Sequence, residues 1–397
     1  MNILLVSYIF YPEPIAMSAI VEDMALQLSK DHQVTVLTSK PCRPLGYNLP
    51  EKKDKENWTF KRIILPSYVC PENSFIGRAK ESKSFGEAVA KYIKDHASNI
   101  DVVYGCIQPL FGQSKVVNCC KKLGIPCLIH VEDIYPEPFL SKLPGLFGKI
   151  MFRIFLPMDK SILMNATKVI AIGPKIRQYL IRTRHLPESK VDYVFNWQDD
   201  TRFKNEGESE ENPVFTFMYV GSLSSAANLL FVANCFSKAC PKNSKLVFAG
   251  NGVLKPELEE ISKIVPDSIE IIEAKFENVP KIQGSADVLV LPLKPTIALK
   301  AFPSKFPSYL FSQKPILAVV EKESDVAECI RESDSGWIVE PTDEEALIEV
   351  FKMIPSTSKD TLKEMGLRAG EYGKKYLTKQ ANLNKMCSLI IESAKKV

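Results

Sequence analysis

Short, uninterrupted apolar runs recur along the chain, each separated from the next by a stretch with helical periodicity. In the first half they are Ile3–Ser7, Val34–Thr38, Ile63–Leu65, Val102–Cys106, Cys127–Val131, Val169–Ile172 and Val191–Phe195. Most are continuous rather than alternating, the pattern of strands in a parallel sheet with helices on both faces. In Ser18–Lys30 the residues Ile20, Met24 and Leu28 share one helical face, and Ser18 is placed to cap it. A polar, acidic stretch, Asp199 to Asn212 (DDTRFKNEGESEEN), interrupts the pattern. It then restarts with Phe215–Val220, Leu246–Ala249, Ile269–Ile272, Val288–Leu291, Ile316–Val320 and Trp337–Val339.

Two βαβ arrays joined by a polar linker predict two Rossmann-like, doubly wound domains; a single barrel has no need of the interruption. A length of 397 residues also favours two cores over one. The expected division is 1–198, an acidic linker 199–212, 213–370, and a helical stretch 371–397 with no strand after it. That last stretch can pack on its own domain or cross back to the first.

Composition narrows the class. Hydrophobic residues make up 45% and charged residues 25%, as in a soluble globular enzyme. A net charge of +4 permits contact with anionic substrates or lipid headgroups, but no Lys/Arg stripe marks a nucleic-acid footprint. The ten cysteines show no CxxC and no metal-ligand spacing, so free buried thiols in a reducing cytoplasm are expected. The opening MNILLVSYIF lacks a basic n-region and runs into Tyr-Pro-Glu-Pro, which reads as a first strand and its loop. No run approaches the ~20 apolar residues of a membrane span.

In open α/β sheets ligands bind beyond the carboxyl ends of the strands. After the first strand there is no GxGxxG, and Ser-Lys-Pro follows Val34–Thr38 where a nicotinamide enzyme would place an acid. No GxxxxGK[ST] is present either. Neither a dehydrogenase nor a P-loop kinase fits. The second array ends its first strand at Gly221-Ser222-Leu223-Ser224-Ser225 and its next at Gly250-Asn251-Gly252. Small residues there let backbone amides approach a ligand, though a tight turn asks for the same glycines. Pro303-Ser304-Lys305 opens a short helix, where Ser304 as N-cap, free amides and the lysine make an anion site. Glu132-Asp133 follows a buried strand. His130 reads as a core histidine, because adjacent strand residues face opposite sides.

Taken together, several segments carry a resemblance. They are Tyr11–Glu13, Val34–Pro41 (VTVLTSKP), Glu132–Glu137 (EDIYPE), Phe195–Asp199 (FNWQD), Tyr219–Ser224 (YVGSLS), Ala286–Leu293 (ADVLVLPL) and Pro303–Leu317 (PSKFPSYLFSQKPIL). The chain resembles a family 4 glycosyltransferase of the GT-B fold, in a branch similar to bacterial fucosaminyltransferases of surface-polysaccharide synthesis. The resemblance implies two Rossmann-like domains facing a central cleft. It also implies retaining, metal-independent transfer of a sugar, a UDP-linked N-acetylated amino sugar, from a nucleotide diphosphate. The acceptor would be a polyprenyl-diphosphate-linked saccharide or a glycan, in capsule or O-antigen assembly; no cofactor is implied.

The donor would be held by Gly221, Ser222, Gly250, Asn251, Phe276, Lys300, Pro303, Ser304, Lys305 and Ser308, with Lys305 on the diphosphate. Glu132 and Asp133 would act near the reacting sugar, and Tyr11 and Glu13 on the acceptor side. The sequence departs from the family where many members carry two glutamates: Lys300 and Ser308 stand there. Ser222 and Ala227 replace a common Arg and Lys. A non-catalytic nucleotide-sugar binder or scaffold, or a nucleotide-sugar 2-epimerase, are the alternatives. Finally, Leu146–Leu156 (LFGKIMFRIFL) places Leu146, Phe147, Ile150, Met151, Ile154 and Phe155 on one helical face. Lys149 and Arg153 flank it, with Lys142 and Lys160 beyond. Such a face suits either the domain core or peripheral contact with the inner membrane.

Overall fold

The computed structural model describes residues 1–43, 55, 57–71, 74–107, 110–143, 145–203 and 213–395. All thirteen expected strands form, with ends shifted by at most two residues. The first sheet contains β1 (Asn2–Ser7), β2 (Gln33–Thr38), β3 (Lys61–Ile64), β4 (Val102–Cys106), β5 (Cys127–Val131), β6 (Lys168–Ala171) and β7 (Val191–Tyr193). Their order is β3-β2-β1-β4-β5-β6-β7, and every pairing is parallel. The second sheet contains β8 (Phe215–Val220), β9 (Ser244–Ala249), β10 (Ile269–Ile272), β11 (Val288–Pro292), β12 (Ile316–Val319) and β13 (Gly336–Val339). It runs β10-β9-β8-β11-β12-β13, again all parallel.

Both sheets start in the middle, wind outward, and return to the other side of their first strand. The winding reverses between β1 and β4 in one sheet and between β8 and β11 in the other. Loops leaving the carboxyl ends at such a reversal diverge and leave a crevice. Continuous burial explains the continuous apolar runs: every residue of β5 and of β11 is buried. The second core is tied by Phe217, Phe236 and Phe351, all fully buried, whose rings meet edge-on at 5.0 to 5.8 Å. Helices Leu229–Ala239 and Glu344–Met353 supply the last two.

The chain divides into a unit of Met1–Phe195 with Asn382–Val397 and a unit of Asn196–Ala381. The first boundary therefore falls before the expected 198, because Gln198 bridges to Thr378 and Asp200 accepts from the Lys379 amide at 3.2 Å. Asp200–Phe203 is a 3-10 turn with Phe203 packed 5.9 Å from Phe311. The remainder of the expected linker, 204–212, lies outside the described residues. The C-terminal stretch is two helices, Lys359–Tyr376 and Lys379–Ala394. In the second, Asn382 accepts from the Phe195 amide at 3.2 Å, and Met386 and Ile390 are fully buried.

Ser18 does not cap the first helix. That helix is Ala16–Leu28 with Ile15 at the N-cap, and Ser18 is buried inside its first turn. All ten cysteines are free thiols, seven of them buried. Among the described residues no helix is long and apolar enough to cross a membrane.

Candidate functional site

In the second unit, β11 pairs with β8 only as far as Leu289 and Met218. Beyond that point the two strands part, and the Val220 amide donates instead to the Tyr309 hydroxyl at 2.8 Å. Tyr309 is fully buried in helix Phe306–Phe311, so this bond seats the helix against the end of β8. The same turn brings in Lys305, whose Nζ donates to the Tyr219 hydroxyl at 2.7 Å. Tyr219 in turn donates to the Ser222 carbonyl at 2.6 Å. Burial pulls the Lys305 pKa down to about 8. An ammonium short of water gains most from an arriving anion.

The glycines around Lys305 have steric work. Gly221 has φ +145°, and a Cβ there would stand 2.8 Å from Lys305 Cε. Gly250 has φ +157°, and a Cβ there would come within 2.0 Å of the Gly221 carbonyl oxygen. The Leu223 amide donates to the Asn251 carbonyl at 2.9 Å, completing contact between the two loops. Both candidate roles of the Gly250-Asn251-Gly252 loop are therefore compatible. It packs backbone on backbone, against Gly221 and Leu223, and so seats Gly221 beside Lys305.

Other expected donor residues fall differently. Ser304 is exposed and is not the N-cap; Lys305 occupies that position in αR geometry, without any side-chain cap. A capping side chain needs an extended backbone, and here the Phe306 amide already donates to the Pro303 carbonyl at 3.0 Å. The Ser304 carbonyl accepts from Gln198 Nε2 at 2.7 Å. Ser308 is buried, donating to the Lys305 carbonyl at 2.7 Å and accepting from Gln283 at 3.2 Å. Its hydroxyl is thus engaged in the core and not offered at the surface. Lys300 is half-buried in the turn before the helix. Phe276, after β10, is 70% exposed, with the Arg202 guanidinium 3.8 Å above its ring.

In the first unit, Glu132 and Asp133 leave the end of β5, with Glu132 half-buried and Asp133 exposed. His130 is buried, as expected, but its surroundings were not foreseen. It lies two residues from Glu132, and its Nε2 is 3.1 Å from Glu132 Oε1. The contact lacks hydrogen-bond alignment. Nδ1 is 2.7 Å from the Tyr104 hydroxyl. Burial lowers the imidazole pKa to about 3, so this is a neutral histidine beside a carboxylate and not an ion pair.

Tyr-Pro-Glu-Pro occurs twice, at 11–14 and 135–138. Each glutamate is buried and anchors its loop. Glu13 accepts from the Phe10, Cys42 and Arg43 amides at 2.8 to 2.9 Å, tying the loop after β1 to that after β2. This carboxylate, expected on the acceptor side, is consumed by backbone. Tyr11 stacks edge-on against Trp58 at 5.5 Å. Glu137 receives Arg184 Nη1 and Nη2, each at 2.7 Å, and the Tyr179 hydroxyl at 2.8 Å. Arg184 is fully buried, also donating to Asp159 at 2.8 Å and to the Tyr135 carbonyl at 2.6 Å. Burial pushes Asp159 up to about 6 in spite of the arginine.

The apolar stripe of 146–156 is not one face. The helix runs Gly145–Asn165, and Phe155 turns inward between Phe111 and Phe139 at 5.7 and 5.5 Å. Leu146, Phe147, Ile150 and Ile154 stay outside, 45 to 74% exposed.

Two parallel sheets, each with its loops gathered at a winding reversal, define a class of two-domain α/β protein that solved structures share. HepE of Anabaena, crystallised with UDP, matches at a TM-score of 0.72 and 12% identity, over 99% of this chain and 100% of that one. A glycosyltransferase of Rickettsia africae matches at 0.71 and 17% identity, over 100% and 99%. The architecture is GT-B. Models of two families match most of the sequence: Glycosyltransferase Family 4 at residues 17–202, and Glycosyl transferases group 1 at 214–354. Each of the two models covers less than half of the chain by itself, and both describe glycosyltransferases. A curated relative, the probable glycosyltransferase WbjE of Pseudomonas aeruginosa, is 26% identical over 252 residues. That match spans 58% of this chain and 60% of the relative's length.

Proposed function

We propose that this chain moves a sugar from a nucleoside diphosphate donor, a UDP-linked N-acetylated amino sugar, to a polyprenyl-diphosphate-linked saccharide. The reaction would belong to bacterial capsule or O-antigen synthesis, as in the fucosaminyltransferase branch, at the cytoplasmic side of the inner membrane. The observation that carries this reading is Lys305, partly desolvated at the winding reversal of the second sheet beside the bare backbone of Gly221. Support for the donor comes from HepE, crystallised with UDP. Support for the transfer reaction comes from the partial likeness to WbjE, a probable glycosyltransferase.

The step is retaining. The bond between the anomeric carbon and phosphate oxygen breaks as the acceptor oxygen bonds to that carbon from the same face. The departing phosphate oxygen takes the acceptor proton. Charge grows on the diphosphate as it leaves, and Lys305 neutralises it without a metal ion. Asp133, exposed at the end of β5, holds the acceptor hydroxyl, and Glu132 supports it from beside His130.

Replacing Lys305 by Ala should lower transfer at least about tenfold, since a desolvated charge contact to phosphate exceeds ~1.4 kcal/mol. The melting temperature without ligand should stay put, and EDTA should not reduce nucleotide binding. A second reading, a binder without catalysis, is favoured by Ser308, whose hydroxyl is taken up in the core. Nucleoside diphosphate released from a donor panel with lipid-linked acceptor separates the two. Binding without release would establish the binder, and interconversion of free donors would establish an epimerase.

A further inference from the structure

The loop that follows β11 carries Lys300 and runs on into Pro303-Ser304-Lys305, and it opens on a turn. The Ile297 amide donates to the Lys294 carbonyl at 3.2 Å across Pro295 and Thr296. Proline at the second position and a φ of +68° at Thr296 in the third make this a type II turn. Glycine or asparagine normally holds that third place, because a side chain at positive φ is strained and a β-branched one most of all. Left to itself, a Pro-Thr pair would take the type I turn, in which both residues keep negative φ.

What holds Thr296 there is a carboxylate. Its amide donates to Oε1 of Glu321, two residues beyond β12. Glu321 is 8% exposed, makes no ion pair among the described residues, and its Oε2 is buried without a hydrogen-bond partner. Burying a carboxylate for one side-chain bond costs stability, so the fold by itself gives no reason for an acid here. The two turn types differ by roughly 150 to 170° in the dihedrals on either side of the middle peptide, which therefore faces opposite ways in them. Glu321 selects the form whose middle N–H points at it; in the other form the Pro295 carbonyl would face the carboxylate.

The turn sits among the donor loops. Leu293 donates to the Val319 carbonyl and Lys294 to the Ala226 carbonyl, each at 3.1 Å, which joins the ends of β11 and β12 to the loop after β8. On its far side, the Ile297 carbonyl accepts the Lys300 and Ala301 amides at 3.0 Å. Buried Phe302 then packs edge-on at 5.6 Å against Phe306, the neighbour of Lys305. The direction of the middle peptide therefore passes through fixed contacts to both lysines. We propose that Glu321 is a positioning residue of the donor site. It locks the Pro295–Thr296 peptide and so sets the course of the segment that presents Lys300 and Lys305 to a nucleoside diphosphate. This role rests on the reading that the second unit holds that diphosphate.

Calorimetry with UDP on the full chain tests it. Glu321→Ala should weaken UDP binding at least about tenfold, since a site displaced by about 1 Å loses most of its contacts. The melting temperature should hold, because the side chain removed is a buried charge without an ionic partner. Glu321→Gln keeps an oxygen for the Thr296 amide and should stay within about threefold of wild type. Adding Thr296→Gly to Glu321→Ala should restore binding to within about threefold, because Pro-Gly takes the type II turn unaided. A residue that only stabilised the fold, or that touched the ligand itself, would not be rescued by glycine. Amide exchange over 294–297 should also quicken in Glu321→Ala without any ligand, which reads the lock apart from the donor. Affinity lost in Glu321→Ala and not restored by glycine would overturn the proposal, as would affinity and exchange both unchanged. Wild-type protein that binds no nucleoside diphosphate, while exchange still quickens, would overturn the donor reading and with it the role at the lysines, leaving the lock itself standing.

Discussion

In the first unit the strand-end loops are held by buried charge. Glu13 takes three backbone amides, Glu81 takes two arginines, and Glu137 with Asp159 grips Arg184. In the second unit the corresponding loops are held by glycine backbone laid on backbone, with one half-buried lysine beside it. Both devices fix a loop beyond a parallel sheet, but they fail in opposite ways. A charge-held loop fails when a partner is lost, because the remaining charges stay buried. A backbone-held loop fails when an atom is gained.

The largest effect should follow from Arg184→Ala. It strands two buried carboxylates, and losing one side of a buried ion cluster costs about 3–5 kcal/mol. Urea denaturation should show the loss, and adding Asp159→Asn should recover part of it. A loss below ~1 kcal/mol would mean that packing, not charge, holds the loop carrying Glu132 and Asp133, and the contrast between the units would collapse.

Next in size is Gly250→Ala. Its Cβ would sit 2.0 Å from a backbone oxygen, and its φ is strained for any side chain, so at least ~2 kcal/mol of stability should go. Gly221→Ala is the sharper probe. Its nearest obstacle is the flexible end of Lys305, at 2.8 Å, which can move aside. That variant should lose less stability than Gly250→Ala but more donor affinity, measured by calorimetry with UDP. Equal stability losses at the two positions would show that Lys305 is packed as rigidly as backbone.

The strands were legible because burial on both faces makes each one a continuous apolar run, a signal contained within a few residues. The site was legible only where its residues are neighbours in sequence. Lys305 could be picked out beside Pro303 and Ser304, but its acceptor Tyr219 lies 86 residues away. Glu137 and Arg184 are 47 residues apart, and only the fold joins them. The doubled Tyr-Pro-Glu-Pro was a local hint that both glutamates anchor loops, and it was available in the sequence. Ser18 and Ser304 mislead as caps for one reason: a hydroxyl names a candidate, while the backbone dihedral decides. The stripe at 146–156 misleads because periodicity sets a face without saying how much of it a neighbour such as Phe139 will cover.

The smallest effect concerns proton balance at Lys305. Burial holds its pKa at about 8, and only the protonated form can neutralise a diphosphate. Above pH 7 the terminal phosphate of UDP is mostly ionised already, its pKa being about 6, so the lysine dominates the trend there. Donor affinity should be level up to about pH 7.5 and fall as pH rises through about 8, at most about tenfold per unit. Binding near pH 8 should also take up protons, visible as a buffer-dependent heat. Tyr219→Phe removes the hydroxyl that accepts from Nζ and so removes support for the charged form. The pKa should drop further, moving the fall in affinity toward lower pH by up to about one unit. A shift toward higher pH would mean that the ring, and not the hydroxyl, sets the charge of Lys305. A flat profile between pH 7 and 9 would remove this lysine from the diphosphate altogether.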